Sequence, residues 1–96
     1  MAVAKAAGED IAMRRKRLRF RAWHRGTKEM DLVLGPFADA NAEAMDQSEL
    51  DRLEALMEQD DPELLKWIMM QEIPPPDVDR DLLRRIVADH QSRMSR

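Results

Sequence analysis

The 96-residue chain has no cysteine and no tyrosine, only three glycines, and two each of tryptophan, phenylalanine and histidine. Each shortage removes a class of chemistry. Without cysteine there is no disulfide framework, no thiolate nucleophile and no Cys-based zinc site, which suits a reducing compartment. His24 and His90 are the remaining soft ligands, far apart in sequence and without an H-x-x-x-H or His-carboxylate spacing on one face, so no metal site is expected. Ser48, Ser92 and Ser95 fall in capping or tail positions with no nucleophile elbow around them. No catalytic residue is assigned, and the chain is not read as an enzyme. No stretch approaches the roughly 18 apolar residues of a membrane span. The start, MAVAKAAGEDIAM, carries Glu9 and Asp10 in place of a basic region followed by an apolar run, so it does not read as a secretory signal. The expectation is a cytoplasmic protein with no membrane partner. A chain this short buries only about 60–65% of the surface its unfolded form exposes, which argues against a large enclosed cleft.

What the chain does hold favours helix. Valine and isoleucine are sparse while alanine, leucine, methionine, glutamate and arginine dominate, so the fold class is all-α, built from five helices in one domain over residues 9–94. Residues 1–8 read as a disordered tail. The first helix is expected from about Glu9 to His24, with Ile11, Leu18 and Ala22 on one stripe, Phe20 and Trp23 packed beside it, and Gly26 ending it as the C′ residue. In the second, Met30, Val33, Leu34 and Phe37 fall at i, i+3, i+4 and i+7, and Gly35-Pro36 predicts a kink or a break. Asp46 and Glu49 have the spacing of a capping box for a third helix carrying Leu50, Leu53 and Met57, with an acidic, solvated opposite face. In DDPELLKW, Asp61 reads as N-cap and Pro62 as the first helical residue of a fourth helix running to about Glu72. Its LLKWIMM run is apolar on nearly every side, which marks it as the central element. IPPP at 73–76 then forces an extended connector. Asp77 or Asp79 caps a fifth helix, in which Leu82, Leu83, Ile86, Val87 and His90 share a face.

The net charge of −3 conceals a strong polarity. Residues 14–28 hold eight lysines or arginines and no acid, whereas residues 29–63 hold twelve acids against Arg52 alone. A basic helix of this kind can neutralise phosphates, so a nucleic-acid-binding or antitoxin-like module is one reading. The arginines are spread around the helix and the overall pI is about 5.4. Both facts favour a solvated basic face with snorkelling side chains, and no nucleic-acid partner is expected.

The sign of the charge switches inside HRGTKEMD, residues 24–31. Arg25 near one helix end and Glu29 in the first turn of the next both complement helix dipoles, and Gly26 permits the turn. Capping does not account for the whole set. With Thr27 as N-cap, a capping box needs its acid at position 30, and Glu29 reaches that place only if Gly26, which has no side chain, is the cap. A glycine corner flanked by arginine and glutamate is also a shape that enters a partner's groove.

At these residues the chain resembles the succinate dehydrogenase assembly factor family, the bacterial SdhE proteins and their mitochondrial counterparts. The family's R-G-x-x-E signature falls at Arg25, Gly26 and Glu29, followed by EMDLVLGPFAD, by LEALMEQDDPELLKWIM with its D-D-P-x-L-x-x-W pattern, and by a proline-containing connector before a last amphipathic helix. The shared region covers about residues 14–90. The resemblance implies a small five-helix bundle acting as a non-enzymatic chaperone. Its expected partner is the flavoprotein subunit of succinate dehydrogenase, with that of fumarate reductase as a further candidate. The expected role is to promote covalent attachment of FAD to a histidine of that partner. It further implies that Arg25, Gly26 and Glu29 meet the partner, with Asp31 flanking them, that Phe37 and Trp67 are core residues, and that no cofactor is tightly bound. A monomer is expected.

Overall fold

The computed structural model describes residues 9–95, so the tail expected over 1–8 lies outside the described residues. The described residues form five α-helices and no strand. These are α1 (Ile11–Trp23), α2 (Lys28–Asn41), α3 (Gln47–Met57), α4 (Asp61–Ile68) and α5 (Arg80–Met94), with a 3-10 turn at Ala42–Ala44 between α2 and α3. The all-α expectation holds.

Each start has a local cause. The side chains of Asp10, Thr27, Asp46 and Asp79 accept from the backbone N–H groups of Met13, Met30, Glu49 and Leu82, each satisfying a donor that the first turn leaves open. Asp46 and Glu49 complete the expected capping box, and Asp79 rather than Asp77 caps α5. At α4 the cap is Asp60, whose side chain makes no capping bond, and Asp61 and Pro62 open the helix. The shift of one residue frees the Asp61 carboxylate for a partner across the fold.

The core is centred on α2, which buries Met30, Val33, Leu34, Gly35, Phe37 and Ala38 and packs on both α1 and α5. This corrects the expectation that α4 is central. That helix ends at Ile68, because Met70 adopts φ 58°. There the Met70 N–H bonds the Trp67 carbonyl and the Gln71 N–H bonds the Lys66 carbonyl, which is a Schellman closure. Methionine in the usual glycine position costs about 1 kcal/mol, and the turn leaves Met69 and Met70 exposed where a longer helix would have buried one face. Phe37 and Trp67 are core residues as expected, 1% and 5% exposed.

Of the kink or break expected at Gly35-Pro36, the break is absent: α2 continues through both residues. Pro36 lies one turn from exposed Leu32 on the outer side of the helix, where a carbonyl that has lost its donor is cheapest to leave to solvent. Gly35 lies directly beneath the Trp23 indole, and a Cβ there would penetrate the ring. The Trp23 Nε1–H donates to Asp39 at 3.1 Å, so α1 and α2 are locked as a hairpin by close approach. Phe20 is not packed against the core; it is 63% exposed and stacks on His24 at 4.0 Å between centroids. Two residues from Leu18, a side chain is rotated about 200° from the buried stripe, which the helical period alone explains.

Candidate functional site

The basic run of α1 is spent on this chain's own acids. Arg14 reaches Asp51 at 2.7 Å and Glu54 at 2.9 Å, Arg17 reaches Glu9 at 2.7 Å and Glu54 at 3.0 Å, and Arg21 reaches Glu54 and Glu58 at 3.4 Å. Arg15 donates to the carbonyls of Ala42 and Met45, and Arg19 pairs with Glu43. Glu54 is therefore a partly buried hub, not a point on a solvated face. Burial opposes the charge on Arg14, yet hydrogen bonds to the Asp51 and Glu54 carboxylates outweigh it and raise the guanidinium above its ordinary value. Arg17 is raised further, first by Glu9 and then by Glu54. Of the run, Lys16 and Lys28 make no ion pair among the described residues and Arg15 is bound to backbone carbonyls, which leaves little charge for a phosphate backbone.

The R-G-x-x-E corner sits at the end of this seam, between α1 and α2. The Arg25 side chain is 10% exposed. Its Nε donates to Asp61 Oδ1 at 2.9 Å, Nη1 to the Met57 carbonyl at 2.6 Å and Nη2 to the Gln59 carbonyl at 3.0 Å, while Nη2 also lies 2.7 Å from Asp61 Oδ1. Met57 ends α3 and Asp61 begins α4. One guanidinium thus caps the carbonyl end of one helix and pairs with an acid in the first turn of the next. The Arg25 backbone N–H donates to Asp31 Oδ1 at 2.6 Å, which ties the corner to α2.

Gly26 and Glu29 are placed differently. Gly26 has φ 107° and is exposed, with nothing within 4 Å of where a Cβ would stand. It is not the expected C′ residue: His24 is the C-cap, so Gly26 stands one position further on. Its glycine is required by backbone sign rather than by crowding. Thr27 is the N-cap of α2, so Glu29 is the second helical residue and has no capping role. Its exposed carboxylate makes no hydrogen bond or ion pair among the described residues. Of the four residues singled out from the sequence, then, all lie at one corner, but Arg25 and Asp31 turn inward while Gly26 and Glu29 face solvent.

Asp61 is the participant that sequence reasoning missed. Its signal was present in D-D-P, but the contact joins residues 36 positions apart, which no local pattern reveals. The structure makes the two sequence motifs one site: the arginine of R-G-x-x-E holds the second aspartate of D-D-P. Above them an open groove of about 510 Å³ is lined by Arg21, Arg25, Glu58, Asp60 and Asp61 among others. Both arginines are already bound to acids there, so the lining does not suit the diphosphate of a dinucleotide. Among the described residues no cluster of His, Asp or Glu could hold a metal ion, and no helix is long and apolar enough to cross a membrane.

Comparison with known proteins follows the same residues. Residues 16–90 match the family model described as flavinator of succinate dehydrogenase. The chain is 42% identical over 87 residues to the FAD assembly factor SdhE of Acetobacter pasteurianus, covering 91% of this chain and 80% of that protein. It is 31% identical over 77 residues to the mitochondrial succinate dehydrogenase assembly factor 2 of Dictyostelium discoideum, covering 80% of this chain and 55% of that relative. With the SdhE of Vibrio cholerae it shares 42% identity over 48 residues, half of this chain and 56% of the other. No solved structure matches it significantly. With four fifths of its length inside the matched region and the signature corner intact, the chain belongs to the succinate dehydrogenase flavinator family.

Proposed function

We propose that the chain is an assembly factor that binds the flavoprotein subunit of succinate dehydrogenase through the α1–α2 corner and promotes covalent attachment of FAD to that subunit. The observation that carries the reading is the contrast within the corner. On a surface where five arginines of α1 are satisfied internally, Gly26 presents bare backbone and Glu29 an unpaired carboxylate. Arg25, Gly26, Glu29 and Asp31 form the partner-binding region.

The chain's contribution is positional. The flavin and the histidine that receives it both belong to the partner, and docking of the corner holds that subunit in the conformation that brings them into attack geometry. Orientation of reacting groups is worth several kcal/mol of barrier, about 7–11 at the upper end, and a ligand that prefers one conformation shifts the population toward it by its differential affinity. A rigid helical wedge is sufficient for this. The factor acts as a monomer in the cytoplasm, binds no cofactor tightly itself, and the flavoprotein of fumarate reductase is a second client.

The test mixes purified apo-flavoprotein subunit, FAD, a dicarboxylate and this chain, and reads flavin fluorescence of the subunit on a denaturing gel. Covalent flavin should rise well above the control without the chain, and the chain should be recovered unmodified. No gain over that control would overturn the reading.

A further inference from the structure

Two of the four corner residues are already committed inside the protein, and the way they are committed bears on how the other two are presented. The Arg25 guanidinium engages one carboxylate and two carbonyls. Reaching outward would leave the Asp61 carboxylate and the end of α3 unpaired in a partly buried place. Asp31 is likewise occupied, since the Arg25 N–H takes its Oδ1 at 2.6 Å. Between these two ties runs the segment 24–27, whose exposed Gly26 has open space where a Cβ would stand. Glu29 follows in the first turn of α2, flanked by the Arg25–Asp31 bond and by the Thr27 cap on the Met30 N–H. The direction of Gly26 and Glu29 is therefore set by a clasp that joins the α1–α2 corner to the α3–α4 corner.

We propose that Arg25 and Asp31 are positioning residues: through the clasp on Asp61, Met57 and Gln59 they aim Gly26 and Glu29 at the flavoprotein subunit, and neither side chain touches that partner. This rests on the function proposed above and divides the signature into residues that hold and residues that meet. It also explains why R-G-x-x-E and D-D-P occur together in one chain, since Asp61 is the far end of the clasp.

A double-mutant cycle on the affinity of the full-length chain for the flavoprotein subunit separates the roles, at a temperature where circular dichroism shows every variant folded. Asp31→Ala should weaken binding roughly tenfold in the wild-type background and by no more than about twofold when Glu29→Ala is already present, because its effect passes through Glu29. Asp31→Asn keeps an oxygen that accepts from the Arg25 N–H and should restore near-wild-type affinity. Arg25→Lys, which cannot reproduce the planar fork, should weaken binding and be coupled to Glu29→Ala in the same way. Additive losses, failure of Asp31→Asn to the same degree as Asp31→Ala, or wild-type affinity in folded Asp31→Ala would each overturn the proposal. Absence of binding by the wild-type chain would overturn the function itself, so the two failures are distinguishable.

Discussion

The α1–α3 seam and the α1–α2 corner are made of the same residue types, arginine and acid, and put them to opposite uses. Along the seam every arginine of α1 that faces α3 finds a carboxylate, and Glu54 alone holds Arg14, Arg17 and Arg21. At the corner Arg25 is held just as firmly, but Glu29, four residues on, has no internal partner. Charge that is paired within the fold contributes to stability, and charge left unpaired on a rigid backbone is available to another molecule. Arg25 belongs to the seam by its chemistry and to the corner by its place in the chain, which is why a signature read along the sequence joins residues in different settings.

The comparison is most easily broken at the hub. Glu54→Ala leaves three partly buried guanidiniums without a shared acceptor, and urea unfolding should show a loss of roughly 2–3 kcal/mol, between the values for exposed and buried pairs. Flavinylation by the protein that remains folded should be unchanged. A smaller loss, about 1 kcal/mol, is expected for Gly26→Ala, because a φ of 107° disfavours any Cβ even where space is open. Gly26→Arg should melt no lower than Gly26→Ala yet bind the flavoprotein far more weakly, since its side chain projects into the space proposed for the partner.

Acid sharpens the contrast on the stability side. The Asp79 carboxyl is held below its ordinary value chiefly by the paired hydrogen bonds from Arg52 at 2.5 and 2.9 Å, against some opposition from burial and with help from the Leu82 N–H. A carboxyl lowered in the folded state stabilises fully above its unfolded value near 4 and loses that contribution as pH falls through the folded value. Arg52→Ala should therefore lower stability at pH 7 while narrowing the gap to wild type as the pH falls below about 4, as read from urea midpoints. The smallest stability effect is expected at Glu29. Glu29→Ala removes a first-turn acid worth about 0.3–1 kcal/mol, so its melting curve should nearly overlay wild type while flavinylation of the subunit is lost. Wild-type flavinylation by folded Glu29→Ala would return the signature acid to a purely structural role.

Much of this was legible along the chain because it is local. Helix starts at Asp46 and Asp79, the buried stripe Met30, Val33, Leu34, Phe37, and the burial of Trp67 all follow from spacing and side-chain type, where each interaction spans one or two turns. The resemblance located the corner by the same local route. Other expectations failed where a distant contact or a backbone sign decided the outcome. The stop of α4 at Met70 depends on a left-handed residue that a run of apolar side chains does not announce. The continuity of α2 through Pro36 goes with Gly35 lying under Trp23.

By itself, then, the sequence determined that the chain is helical, where the capping box of α3 and the buried stripe of α2 lie, and that positive and negative charge meet around Gly26, because those properties are set by neighbours within a few residues. Only the tertiary structure decided which charges cancel. An ion pair depends on distances across packed helices, and the 36-residue span from Arg25 to Asp61 is closed by the packing of apolar faces elsewhere. That packing turned Arg25 and Asp31 inward and left Gly26 and Glu29 facing solvent.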